Sequence, residues 1–286
     1  MAGAISDLRY VGYAVTDFEA ERRFYSEVWG LREVSNHDGM AFFAAEGSDE
    51  PFVVRIRQTD HVGLDLIGFS AASRGDVDEL HSTLIGQDLK VITAPQELGS
   101  PGGGYGFRFF DSDGRVLEVA ADYERGLARE LTHGESVPRE LSHIVLHSPN
   151  RAAAEAFFVD VLGFRVSDYI GDFMSFLRCN SVHHRIALLP GPPALNHVAF
   201  EMRNADEMMR GVGRMRKAEV ALQWGPGRHT AGNNTFSYFS SPNGHIVEYT
   251  AEMDRVDHDA WEATRYNPTK EIMDQWGTAE GGPDHM

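Results

Sequence analysis

The sequence predicts an α+β fold: tandem βαβββ modules forming two similar mixed-sheet domains. Three observations carry that prediction. The chain has 286 residues, room for two domains at ~100–200 residues each. Three segments of its first half recur in order in its second, at offsets of 133, 136 and 130 residues, as small loop changes between two copies would leave them. Each half reads as units of one strand, one helix and then several strands, which builds a mixed sheet with helices outside.

The elements follow in order. Leu8–Val15 has strand character, and Asp17 to Trp29 reads as a helix stopped by Gly30. Its counterpart is Leu141–Ser148, then Asn150 to Leu162 and Gly163. Asp17 and Asn150 suit helix N-caps, because a short side-chain oxygen accepts from an N–H that the helix leaves unpaired. Phe24 and Val28 lie four residues apart, as do Phe157 and Val161, so each helix carries an apolar stripe. Next, Asp60–Leu66 matches Asn196–Met202, each ahead of a helix, near Asp76 to Ile85 and Asp206 to Lys217. Last, Phe109–Glu118 matches Phe239–Glu248. Strands of the second half are expected near 141–147, 173–178, 185–189, 196–202, 235–239 and 245–250. Thr132–Pro138 reads as a linker. The domains are therefore set at 1–131 and 139–270, with a tail over 271–286 that carries little order signal from Gly277 on.

Composition narrows the function. With 26 Lys and Arg against 43 Asp and Glu, the net charge is −17, which disfavours nucleic acid as a partner. One cysteine, Cys179, excludes an internal disulfide and a cysteine-rich zinc site. The longest apolar run, Met40–Ala45, is far short of the ~20 residues that span a bilayer. Met1–Tyr10 has neither a basic n-region nor an apolar h-region, so no secretory leader is expected. A cytoplasmic protein acting on small molecules, with no membrane partner, is the expectation.

His143, His197 and Glu248 fall at matching points of the repeat, each within a candidate strand. A side-chain period of two places His143 with Val145 on one strand face, and His197 with Ala199 on another. If the strands curve around one cavity, two imidazoles and one carboxylate converge. That set suits Fe(II) and leaves coordination positions open. Spacing alone leaves each histidine free to be an ordinary hydrogen-bonded strand residue. In the first half the matching positions are Tyr10, His61 and Glu118. One ligand is missing there, so a degraded site is expected, with His61 and Glu118 as ordinary strand residues.

These residues resemble a known family, the extradiol ring-cleaving dioxygenases of the vicinal oxygen chelate (glyoxalase) superfamily, in the two-domain, biphenyl-diol-type branch. The similarity spans about residues 5–270. It is carried by Leu141-Ser-His-Ile-Val145, Phe176 to His184, Leu195-Asn-His-Val-Ala-Phe200, Gly227-Arg-His-Thr230 and Ser237 to Tyr249. The resemblance implies an active site in the C-terminal domain and a catalytically idle N-terminal one. It implies Fe(II), with Mn(II) possible, held by His143, His197 and Glu248. It implies His184 as acid/base, Tyr238 as a hydrogen-bond partner of a substrate oxygen, and His229 near the same oxygen. Phe176, Val145 and Pro268 are assigned to substrate binding. The expected partners are a catechol-type aromatic diol, dioxygen and further copies of the chain in a homo-oligomer. The expected reaction opens the ring beside the hydroxyls and gives a hydroxymuconic-semialdehyde-type acid.

His183 and His184 are neighbours, so in a strand only one can face the metal; the resemblance selects His184. Departures from the family lie at Ala231-Gly232 and Pro192-Pro193, which puts pocket-wall contacts in question and touches no ligand. Other readings stay open. They are a Mn(II) dioxygenase, a glyoxalase-like isomerase, which needs ligands from two modules, and a metal-free small-molecule binding protein.

Overall fold

The computed structural model describes residues 5–279. The first half forms a sheet of β1 (Asp7–Val15), β2 (Arg32–His37), β3 (Met40–Ala44), β4 (Val54–Gln58), β5 (Gly63–Ser70), β6 (Gln96–Glu97), β7 (Tyr105–Phe110) and β8 (Val116–Ala121), ordered β2-β3-β4-β1-β5-β8-β7-β6. The second half adds β9 (Glu140–Ser148), β10 (Arg165–Ile170), β11 (Met174–Arg178), β12 (Ile186–Pro190), β13 (Ala194–Glu201), β14 (Leu222–Arg228), β15 (Thr235–Ser240), β16 (Ile246–Ala251) and β17 (Thr264–Tyr266). Their order, β14-β15-β16-β13-β9-β12-β11-β10-β17, is the first sheet's order plus β17. Each sheet centres on an antiparallel pair, β1 with β5 and β9 with β13. Parallel partners flank that pair: β4 and β8 in one sheet, β12 and β16 in the other. Two βαβββ modules therefore meet at the middle of every sheet.

The helices start where the caps predict. Asp17 accepts from Ala20 N ahead of α1 (Phe18–Arg23), and Asn150 accepts from Ala153 N ahead of α3 (Arg151–Ala156). Both then widen into π-helical turns, Phe24–Trp29 and Phe157–Val161. Gly30 ends the first at φ 96°, a conformation that costs glycine little. The longer helices are α2 (Arg74–Gly86) and α4 (Ala205–Lys217), and α5 (Lys270–Met273) is one short turn.

The expected strands of the second half form, and three further strands form that the pattern does not announce. β14 contains Gly225-Pro226-Gly227, which reads as a turn. It lies at the sheet edge, where a missing N–H breaks no inner ladder. β10 buries Ser167 and Asp168 among its apolar residues, which blurs its alternation. β17 has only three residues.

One apolar core runs through both halves. Trp29, at the end of the first helix, stacks on Tyr249 of β16 at 3.8 Å and meets Phe200 of β13 edge-on at 5.5 Å. The Tyr249 hydroxyl donates to the Trp29 carbonyl at 2.7 Å. On the mirror side, Phe164 meets Phe69 of β5 at 5.8 Å. No helix among the described residues is long and apolar enough to cross a membrane.

Candidate metal centre

Sheet register assembles the trio. On β9 and β13, His143 stands opposite Ala199, and His197 opposite Val145. On β13 and β16, Ala199 stands opposite Glu248. The small Ala199 side chain thus lies between His143 and Glu248, with His197 two positions away on the same face. The ligand atoms of His143, His197 and Glu248 all fall within 4.8 Å of one another. His197 Nε2 is 3.1 Å and His143 Nε2 3.4 Å from Glu248 Oε2. Yet His197 Nε2 and both Glu248 oxygens are buried with no hydrogen-bond partner among the described residues. Such orphaned atoms are costly in a dry site, and a divalent cation between them would satisfy all three.

The electrostatics fit that reading. Burial pushes the Glu248 carboxyl up, but the adjacent His143 and His197 imidazoles outweigh it and hold the group well below the usual range. Burial lowers His197, so its imidazole stays neutral, as a ligand must be. Each ligand histidine is oriented by the residue before it. His197 Nδ1 donates to Asn196 Oδ1 at 2.5 Å, and Asn196 Nδ2 donates onward to His147 Nε2 at 2.9 Å. His143 Nδ1 lies 3.2 Å from Ser142 Oγ, which donates to Glu201. These partners turn Nε2 of both rings toward Glu248. The sequence reading missed Ser142 and Asn196, although each directly precedes a ligand histidine.

His143, Val145, Phe176, His184, His197, His229, Tyr238 and Pro268 line one cavity of about 1060 Å³, with Glu248 fully buried beneath it. The His184 ring is 4.4 Å from His143 and 4.9 Å from Phe176. Burial, then the neighbouring His143, hold His184 well below its ordinary value. His229 Nδ1 donates to the Met273 carbonyl at 2.7 Å, leaving Nε2 to accept from the Tyr238 hydroxyl at 3.1 Å. Burial lowers His229 to about 4. Burial, then the Glu248 charge, raise Tyr238 well above the usual phenol range. Ala231 also lines the cavity, whereas Pro192 and Pro193 do not.

Three sequence expectations change. His184 does not sit in a regular strand; residues 183–185 form an irregular stretch before β12, so strand alternation does not sort the histidine pair. The segment expected as a tail, 271–286, contributes residues to the cavity. Ile272, Met273, Gly277 and Ala279 roof it. Asp274 pins that roof by accepting from Arg228 N at 3.0 Å and from Thr278 N and Ala279 N at 2.8 Å. Residues 280–286 of the tail lie outside the described residues.

The third change is in the first half. There Tyr10 stands opposite Gly68, Gly68 opposite Glu118, and Gly12 opposite Leu66. Leu66, not His61, therefore holds the place of His197. His61 lies before β5, exposed and bonded to Asp60. The Tyr10 ring covers Gly68, where an added Cβ would come within 2.2 Å of it. Tyr10 OH donates to Glu118 at 2.6 Å, and Arg108, which matches Tyr238, donates to it at 2.8 Å. A phenol and a guanidinium satisfy the carboxylate that a metal would otherwise meet.

With this geometry in place, similarities to known proteins can be weighed. Residues 7–119 and 140–249 each match the family described as Glyoxalase/Bleomycin resistance protein/Dioxygenase superfamily. The chain is 27% identical to metapyrocatechase 2 of Cupriavidus necator, over 96% of this chain and 89% of that one. It is 27% identical to biphenyl-2,3-diol 1,2-dioxygenase of Paraburkholderia xenovorans strain LB400, over 92% and 93%. Among solved structures, the Mn(II)-bound glyoxalase from Novosphingobium aromaticivorans superposes with a TM-score of 0.97 at 51% identity, over 99% of this chain and 94% of that one.

Proposed function

The chain belongs to the Glyoxalase/Bleomycin resistance protein/Dioxygenase superfamily, and on that premise we propose that it is a metal-dependent extradiol dioxygenase. Its substrate is a catechol-type aromatic diol, opened beside the hydroxyls with both atoms of dioxygen retained, to give a hydroxymuconic-semialdehyde-type acid. Its metal ligands lie in a C-terminal domain that we delimit at 139–270, and the segment that follows roofs the cavity. The observation that carries the reading is the convergence of His143, His197 and Glu248, with His197 Nε2 and both Glu248 oxygens unpartnered, at the floor of an apolar cavity. Fe(II), or Mn(II) with the same ligands, would supply open positions for diol and dioxygen and relay electron density between them.

The chain's own groups supply the rest. His184, neutral through burial, takes a hydroxyl proton of the diol and returns it later. Tyr238, held by His229 at 3.1 Å, meets a substrate oxygen. Val145, Phe176 and Pro268 wall the ring and exclude water. At about 1060 Å³ the cavity is at the upper end of small-molecule sites, ~300–1,000 Å³. It favours a two-ring diol over a single ring.

A second reading, a glyoxalase-like isomerase, draws on the 51% identical glyoxalase structure. Against it stands the donor set, which already draws on two modules but among the described residues holds only one carboxylate, Glu248, with two histidines, where such an isomerase usually uses a second carboxylate.

The test is anaerobic reconstitution with Fe(II) or Mn(II), then air and a panel of catechol, 3-methylcatechol, 2,3-dihydroxybiphenyl and 1,2-dihydroxynaphthalene. The expected result is stoichiometric oxygen uptake and a yellow product, fastest with the two-ring diols and absent in His143→Ala. Bound metal without oxygen uptake on any diol, together with isomerisation of a hemithioacetal, would replace this reading with the second. A wild type that binds no metal would point to a binding protein.

A further inference from the structure

Three buried titratable groups stand in a row behind the cavity. His184 Nδ1 lies 2.9 Å from His183 Nδ1, and His183 Nε2 lies 2.9 Å from Asp168 Oδ2. His184 is 3% exposed, and His183 and Asp168 are 1% exposed. Donor and acceptor parity places the protons. A carboxylate oxygen only accepts, so His183 Nε2 donates to Asp168. With a single ring proton, His183 keeps a lone pair at Nδ1, and His184 donates to it from its own Nδ1. What remains on His184 is Nε2, bare of hydrogen, on a ring that lines the cavity. A second proton on His183 would reverse the bond between the rings and put Nε2–H on His184, which the imidazole spectra below distinguish.

We propose that His183 and Asp168 are positioning residues that fix His184 in its Nδ1–H tautomer and keep Nε2 open to take a proton from the substrate. The inference rests on the reading of His184 as proton acceptor. The opposite tautomer would present an N–H to the diol and could accept nothing there.

The row is braced on every side. Asp168 Oδ1 accepts from Thr264 N of β17 at 2.7 Å. The His183 backbone N–H donates to the Asp254 carbonyl at 2.9 Å, and Ser167 Oγ donates to the His183 carbonyl. Trp261 stands edge-on to the His183 ring at 6.2 Å. Phe176 flanks both imidazoles, at 5.8 Å from His183 and 4.9 Å from His184. A buried carboxylate and imidazole add little to stability over apolar residues of the same volume. Their value here is direction, since the pair ends on the one nitrogen whose proton decides what His184 can do. The strand β17, absent from the first sheet, closes the back of this row.

The test uses the folded, metal-free, 15N-labelled chain and long-range 1H–15N correlation of its imidazoles. In the wild type, His184 is expected with a protonated Nδ1 and a bare Nε2. His183→Leu removes the acceptor, and an Nε2–H population of His184 is expected to appear. His183→Gln restores a side-chain acceptor and with it the Nδ1–H tautomer. Asp168→Ala, which frees the His183 tautomer, is expected to shift His184 as the leucine variant does. A His184 that keeps Nδ1–H unchanged in His183→Leu overturns the proposal. Should that variant not fold, an Nε2–H His184 in the wild type overturns it equally. In the metal-loaded enzyme, kcat of His183→Leu is expected to fall roughly 10–100-fold, with KM nearly unchanged and most of kcat recovered in His183→Gln. If the wild type cleaves no diol, the dioxygenase reading fails, while the tautomer assignment still stands or falls on the spectra.

Discussion

Glu118 and Glu248 occupy the same place in the two halves, and their neighbours decide what each can do. Glu118 receives a phenol and a guanidinium, at 2.6 Å and 2.8 Å. Glu248 receives no hydrogen bond at either oxygen. Glu248→Gln is therefore expected to lose bound metal, read as metal per chain after dialysis, whereas Glu118→Gln keeps it. Glu118→Gln instead costs stability, about 1.5–3 kcal/mol for hydrogen bonds to a charged group, read by urea denaturation. Equal metal content in the two variants would remove the assignment of Glu248 as a ligand. A chelator extends the contrast. At free metal ~100 times Kd, loading stabilises the fold by about 2.7 kcal/mol, so a chelator should lower the wild-type melting point and leave that of Glu248→Gln unmoved. At this scale the sequence was only partly legible. His143, His197 and Glu248 could be singled out because they lie in candidate strands within the stretches that carry the family resemblance, and the structure brings their ligand atoms within 4.8 Å of one another. Leu66 could not, because the similar run Asp60–Leu66 draws the match to His61, whereas pairing sets Leu66 opposite Gly12 as it sets His197 opposite Val145, with the same register shift beside both. His61 was nearest in the written sequence, but it lies outside the strand.

Helices were easier to read than strands, for a physical reason. Asp17 and Asn150 mark helix starts through one local hydrogen bond, so the signal sits within four residues. β10 and β14 gain their pairing from distant segments, and their polar and glycine-proline residues carry no alternation of their own. The linker shows a third case. Thr132–Pro138 has the composition of a connection, yet it is held fast. Glu207 of α4, 2% exposed, accepts from Gly134 N at 2.6 Å and Ser136 N at 2.8 Å. Arg214, two turns further along the same face, donates to the Ser136 hydroxyl at 2.9 Å and to the Trp29 carbonyl at 3.1 Å. α4 thus ties the linker to the first helix and to its own sheet. Glu207→Ala leaves two amides unpaired and is expected to cost about 2–4 kcal/mol. The measurement is the urea midpoint, and a change under about 0.5 kcal/mol, the size of an ordinary surface substitution, would show the linker to be merely draped over the helix.

The two sheets share one core, so the molecule is expected to unfold in a single transition, and groups at the seam between the halves are expected to report on all of it. His245 is such a group. It lies beside β16, 7% exposed, with its ring 4.4 Å from Tyr13 of β1. Burial lowers it from an ordinary 6.5 to about 4, with a backbone hydrogen bond to Ala14 opposing. The sign follows from proton counting. Between those two values the unfolded chain holds a proton that the folded chain does not, so stability is full above about pH 6.5 and falls as pH drops toward 4. Glu21, also near Tyr13, runs the other way. Burial raises its carboxyl, so the folded state gains from protonating it and loses that gain as pH rises. His229 adds a slope of the same sign as His245. The contribution of His245 is therefore a difference, wild type against His245→Phe, which keeps an aromatic ring against Tyr13 and removes the titration. That difference is expected to change by about 2 kcal/mol in urea between pH 7.5 and pH 5, at ~1.4 kcal/mol per pKa unit. Parallel stability curves across that window would mean that His245 gains its proton within the folded seam, and that the two halves part locally before the shared core gives way.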